Sequence, residues 1–189
     1  EHPMNERACI KPTGRASKGC PTKSSARLMK KARKEYNKEN IHEFARLASI
    51  QEGECYSKKD RKPFFMHPVK PRILEIIEFT KKMGYKKLGL LFCMGLVKEA
   101  ALVNGILKHH GCEVVSVVCK AGCFPKEEIG VKDNEKIRIE EYETMCNPIL
   151  QAMIVNEAKT DFNILLGLCV GHDSLVFKYV EAPTTVLAV

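Results

Sequence analysis

No stretch of this sequence approaches the roughly 20 consecutive apolar residues that a membrane-spanning helix needs, and its polar beginning lacks the apolar centre of a secretory signal. A soluble, cytoplasmic protein with no membrane partner is therefore expected. Glycine signatures for phosphate are missing too. Neither a G-x-G-x-x-G run nor a Walker motif occurs, so a nucleotide enzyme would rest on fold analogy alone. The C-x-x-C spacing of zinc fingers is also absent. The nearest thing to it, Cys119-Lys120-Ala121-Gly122-Cys123, is one residue longer and weak as a standalone metal motif.

Cysteine itself is plentiful. Nine occur among 189 residues, an odd number without an export signal, and several lie in apolar segments, so reduced thiols and thiolate metal ligands fit better than a disulfide framework. At 44% hydrophobic the chain is long enough for one well-buried domain with an appendage. Glu1-His2-Pro3, ahead of Met4, reads as the remnant of a tag and is set aside.

Charge is uneven. Residues 1–87 hold 22 Lys and Arg against 10 Asp and Glu, whereas residues 88–189 hold 9 against 13, a balance of +12 against −4. Clustered cations gain from counterion release on nucleic acid, which makes such a partner possible though not favoured. A solvated helical surface is the more ordinary account of such a charge run.

Along the chain, three organisational segments are expected: a cysteine-containing stretch over 1–22, a basic helical region over 23–86 packing on the core, and an α/β core over 87–189. Ser24 or Ser25 caps a basic helix that ends near Asn40. Asn40 opens the next helix, with Glu43 in capping-box spacing and an end near Gly53. A charged linker occupies 57–63, and Pro71 stands as the first residue of a helix stopped by Gly84. Beyond Lys87 the period changes to strand 88–94, helix 96–110, strand 113–119, loop, helix 148–159, strand 162–169, helix 173–180 and strand 184–189. Repeating βα units imply a parallel sheet of about four strands with right-handed crossovers, flavodoxin- or Rossmann-like in the order 2-1-3-4. In that order Cys93 is flanked by Cys119 and Cys169.

Chemistry gathers at the carboxyl ends of such strands, and three strand-like runs here end in cysteine: Cys93, Cys119 and Cys169. A fourth, Cys146, precedes a helix entry in which Asn147 is the N-cap and Pro148 the first helical residue. That position faces the positive end of the helix dipole and favours a thiolate. In Gly167-Leu168-Cys169-Val170-Gly171-His172-Asp173 a cysteine and a histidine stand three apart, suited to ligating zinc or iron or to acting as nucleophile and base. Asp173 can cap the helix that follows. Gly95, Lys120 and Gly171 are placed at the same crevice to approach a small-molecule ligand. Cys112 begins a strand at the far end, and Cys55 lies in the basic part; both are most simply structural.

Five ordered segments carry a resemblance. They are Phe92-Cys93-x-Gly95-Leu96, Cys119-Lys120-x-Gly122, Cys146-Asn147-Pro148-Ile149-x-Gln151-Ala152, Gly167 through Asp173, and Lys178-Tyr179-x-x-Ala182-Pro183-Thr184-Thr185. From about residue 72 onward the chain resembles the uncharacterised metal-binding proteins of archaea and bacteria grouped as a domain of unknown function. The resemblance implies metal binding and a cysteine-rich N-terminal segment, met here by Cys9 and Cys20-Pro21 without earlier paired cysteines. It brings no reaction.

The leading expectation is thus a metal-binding α/β protein holding zinc or an iron-sulfur centre through Cys93, Cys119, Cys146 and Cys169, with His172 as a further ligand. A thiol or redox enzyme using Cys169 or Cys146 with His172 is the alternative, and a nucleic-acid module built on the basic helices is the third.

Overall fold

The computed structural model describes residues 2–63 and 65–189. The chain divides into two compact units, Glu1–Gly53 and Glu54–Val189.

In the first unit a 3-10 turn at Met4–Glu6 leads into a loop closed by a parallel bridge between Arg7 and Arg15. Three helices follow: α1 (Pro21–Ser24), α2 (Ala26–Tyr36) and α3 (Glu39–Glu54). Ser25 occupies the N-cap position of α2 without a side-chain cap bond, and α2 ends at Tyr36, earlier than expected. The capping box expected at Asn40 gives way to a bidentate pair: α3 already includes Glu39, and the Glu43 carboxylate accepts from Arg46 at 2.7 and 2.8 Å, one turn along the same face.

The second unit opens with two short antiparallel strands, β1 (Tyr56–Ser57) against β2 (His67–Pro68), with all but Ser57 of the expected charged linker between them. Pro71 is the N-cap of α4 (Arg72–Lys82), one position before the predicted one. Its apolar spacing buries Ile76, Ile77 and Phe79, and the Phe79 ring meets Phe162 edge-on at 6.0 Å. The βα series then runs β3 (Lys87–Phe92), α5 (Val97–His109), β4 (Glu113–Val118), α6 (Pro148–Glu157), β5 (Phe162–Leu166), α7 (His172–Tyr179) and β6 (Thr184–Ala188).

These four strands form one parallel sheet in the order β4-β3-β5-β6, so the first lies between the second and third. β3 and β5, covered on both faces, read as continuous apolar runs, and Leu88, Leu90, Leu91 and Ile164 have no exposed surface. Each such side chain contributes about 1.5–3 kcal/mol of burial. Gly89 interrupts the run of leucines for a packing reason: a Cβ there would lie 2.2 Å from Oδ1 of buried Asn163. That oxygen accepts the Thr160 hydroxyl at 2.8 Å, and the Asn163 amide donates to Thr184 Oγ1 at 3.2 Å, so a satisfied polar group bridges β5 and β6.

Between β4 and α6 the chain makes a long excursion with two short 3-10 turns, Lys126–Ile129 and Asp133–Glu135. Ion pairs hold it where apolar packing does not. Lys126 meets Glu143 at 2.6 Å, and the buried Lys136 ammonium meets Asp133 at 2.6 Å and Glu127 at 2.9 Å, while Ile129, Ile137 and Ile139 stay exposed. Among the described residues no helix is long and apolar enough to cross a membrane.

Candidate functional site

The sheet's hydrogen bonding runs one residue past its strands and so carries cysteines to a common edge. The Cys93 N–H donates to the Leu166 carbonyl at 3.0 Å, and the Cys119 N–H donates to Phe92 O at 2.8 Å. Cys146 arrives from the far end of the excursion. The N–H of Asn147 donates to Cys119 O at 2.7 Å, while the Asn147 side chain caps α6 by accepting from Leu150 N at 3.0 Å. As expected, Pro148 is the first residue of that helix.

The result is a sulfur cluster. The Cys146 thiol donates to Cys119 Sγ at 3.8 Å, and Cys93 and Cys146 both pack against the core group that contains Cys119, Leu91, Val117, Leu165 and Leu168. Backbone donors point at the sulfurs: Met94 N–H reaches Cys119 Sγ at 3.3 Å and Gly95 N–H reaches Cys93 Sγ at 3.4 Å. Beneath them lies Gln151 of α6, with no exposed surface. Its amide donates to Val117 O at 2.7 Å and Phe92 O at 3.3 Å, clamping the ends of β4 and β3, and its Oε1 has no partner among the described residues.

Burial pushes the Cys119 thiol up to about 12; the Met94 N–H opposes this, and the neighbouring Cys146 and Cys93 add to it. Metal-free, Cys119 is thus a neutral thiol at pH 7. Exposed Cys123 is shifted the other way, its thiol lowered by hydrogen bonds from Thr144 and then Tyr142. His172 is held below the usual imidazole range by burial first, then by Lys120 and Lys126, with Asp173 opposing.

Cys169 takes a different course from the other strand-end cysteines. β5 ends at Leu166, short of the expected 169, because Gly167 turns the chain with φ +67°. A Cβ at Gly167 would lie 2.1 Å from Leu96 Cδ1, so the turn packs closely on the β3–α5 corner. Leu168 fills the core and Cys169 is exposed. The Cys169 carbonyl accepts from His172 N at 3.0 Å and Asp173 N at 3.2 Å; among the described residues no hydrogen bond joins the Cys169 thiol to the His172 imidazole. Gly171, at φ +88°, is the N-cap of α7. Asp173 makes no cap bond from outside the helix; its Oδ1 instead accepts from Gly171 N at 3.1 Å and Ser174 N at 2.7 Å. The Lys120 ammonium bonds the Thr144 carbonyl.

Cys119 and Cys146 therefore meet sulfur to sulfur and Cys93 packs on the same core group, whereas Cys169 and His172 share a neighbouring turn. Among the described residues no group of three or more His, Cys, Asp or Glu side chains is already arranged to hold a metal ion. Two elements of the site escaped the sequence reading. The Asn147-to-Cys119 backbone bond has no side-chain signal, and the Lys126–Glu143 pair lies in a segment without periodicity.

Residues 20–187 match the family described as "Protein of unknown function (DUF1847)". The chain is also 44% identical over 162 residues to "Uncharacterized protein MJ0455" of Methanocaldococcus jannaschii, a match covering 86% of this chain and 76% of that relative.

Proposed function

Because the chain belongs to this DUF1847 family of proteins of unknown function, we propose from its own geometry that it binds a soft metal, zinc or an iron-sulfur centre, through Cys93, Cys119 and Cys146. One observation carries the reading. The Cys119 and Cys146 sulfurs stand 3.8 Å apart, the edge of a tetrahedron whose metal–sulfur bonds are about 2.3 Å. Thiolates select zinc, copper(I) or iron-sulfur over magnesium and calcium. The amides of Met94 and Gly95 would stabilise the bound thiolates, and metal would replace the proton that burial keeps on Cys119. Cys93 joins by side-chain rotation, and the fourth position falls to Cys169, His172 or an outside ligand.

We read the strand order as flavodoxin-like, which opens a crevice at β3 and β5 where Gly95, Lys120 and Gly171 would face a small molecule. Such a thiol site belongs to a reducing, cytoplasmic setting.

The test is anaerobic purification, metal analysis and an absorption spectrum, beside a Cys119→Ser, Cys146→Ser variant. Stoichiometric zinc, or a coloured iron centre, lost in the variant supports the reading. Well-folded protein that stays metal-free after reconstitution sinks it.

A second reading, nucleic-acid contact, has one observation in its favour: α2 has no buried residue, and no carboxylate among the described residues pairs with its Arg27, Lys30, Lys31, Arg33 or Lys34. It predicts affinity for duplex DNA or RNA that falls steeply with salt and ignores the cysteines; binding that is flat with salt would refute it.

A further inference from the structure

The contact that suits a metal also suits electron-pair chemistry without one. The Cys146 thiol donates to Cys119 Sγ at 3.8 Å, and the Asn147-to-Cys119 hydrogen bond of 2.7 Å lays the two backbones side by side. A disulfide needs its sulfurs near 2.05 Å, so the pair must close by about 1.8 Å, a distance that modest χ1 rotations supply. Access differs across the pair. Cys119 is 2% exposed, whereas Cys146 is half-buried at the start of a ten-residue helix. Cys93 stands outside the pair: among the described residues its sulfur makes no hydrogen bond with either of the other two, and it accepts the Gly95 N–H at 3.4 Å.

We propose that Cys146 and Cys119 form a redox-active dithiol that reduces small aliphatic disulfides, Cys146 attacking and Cys119 resolving. The Cys146 thiolate attacks one sulfur of RS–SR, forming the mixed disulfide Cys146–S–SR and expelling RS⁻. Cys119 then gives up its proton and attacks Cys146 Sγ, forming the Cys119–Cys146 bond and expelling the second RS⁻. Both leaving groups take up protons. The two protein thiols are oxidised by two electrons, and one RS–SR becomes two RSH.

The probe is oxidised glutathione, added under argon to the full chain, both as purified and after a chelator wash with metal content measured. Disulfides and adducts are mapped by mass spectrometry of peptides. The wild type should acquire an intramolecular Cys119–Cys146 bond before the exposed Cys169, Cys123 and Cys9 are extensively modified. Cys119→Ser should stop at one glutathione on Cys146, and Cys146→Ser should slow glutathione addition at Cys119 to about a tenth or less of the wild-type rate at Cys146. Far-UV circular dichroism checks that each variant is folded, and the wild-type map stands without them. Glutathione found only on other cysteines, or another pairing formed first, overturns the proposal. Because the chelated arm needs no metal, its outcome is separate from that of the metal reading.

Discussion

Replacing Gly167 by alanine should cost the protein about 2–5 kcal/mol, from two sources the structure separates. The first is conformational. Gly167 has φ +67°, where a Cβ crowds the following carbonyl at roughly 1–2 kcal/mol. The second is steric. The new Cβ would stand 2.1 Å from Leu96 Cδ1 and 3.1 Å from its Cγ, so Leu96 must leave its rotamer, an overpacking cost of about 1–3 kcal/mol. For a chain of this size, a melting temperature lower by roughly 4–20 °C follows. Gly84 supplies the control, with φ +72° and nothing within 4 Å of its would-be Cβ, so Gly84→Ala should show the first cost alone. Urea unfolding of both variants, and of Gly167→Ala in a Leu96→Ala background, makes the comparison. In that background the increment should fall to the Gly84 level. If Gly167→Ala costs no more than Gly84→Ala within about 0.5 kcal/mol, the close approach that turns β5 away from the thiol cluster is wrongly described.

Two predictions concern pH. The native pKa of Cys119 lies near 12, above its unfolded value, so native protein holds this proton where the unfolded chain releases it. Its contribution is intact below pH 9 and declines by up to about 1.4 kcal/mol per unit from there toward pH 12. Urea midpoints at pH 8 and 10.5 should therefore differ less in Cys119→Ala than in wild type, and equal pH dependence would refute the shift. Glu143 works in the opposite direction: Lys126, with help from the Arg138 and Ile137 amides, holds it down to about 2. Its contribution is complete above pH 4.5 and disappears as pH falls through 2. Protection factors for hydrogen exchange at Ile137 and Arg138, taken against the intrinsic rate at each pH, should fall on acidification in wild type and be low throughout in Glu143→Gln.

The sheet was legible because its strands obey a simple rule. Leu88 to Phe92 and Phe162 to Leu166 are short, unbroken apolar runs, as a strand buried on both faces must be. Where a strand ends was harder to read. Leu168 looks like a continuation of β5 and is indeed buried, but it reaches the core from a turn, so the sequence extended the strand to Cys169 and put that thiol beside Cys93. The helix entry at Asn147-Pro148 was plain from its capping chemistry. What could not be read was the partner of that entry, a backbone bond from Asn147 to Cys119 that brings a residue 27 positions away into sulfur contact. The excursion between these cysteines gave no signal either, since ion pairs such as Lys126–Glu143 leave no hydrophobic period.

The central claim is that Cys93, Cys119 and Cys146 act together as thiolate ligands. Cobalt(II) titration of reduced protein tests it most directly, because sulfur-to-cobalt charge-transfer absorption reports thiolate number and d–d bands report tetrahedral geometry. The account predicts one tetrahedral cobalt per chain with three or more thiolates, displaced by zinc, reduced by one thiolate in Cys93→Ser and abolished in Cys119→Ser, Cys146→Ser. Folded wild-type protein that shows no thiolate band, or one that survives the double substitution, would contradict it.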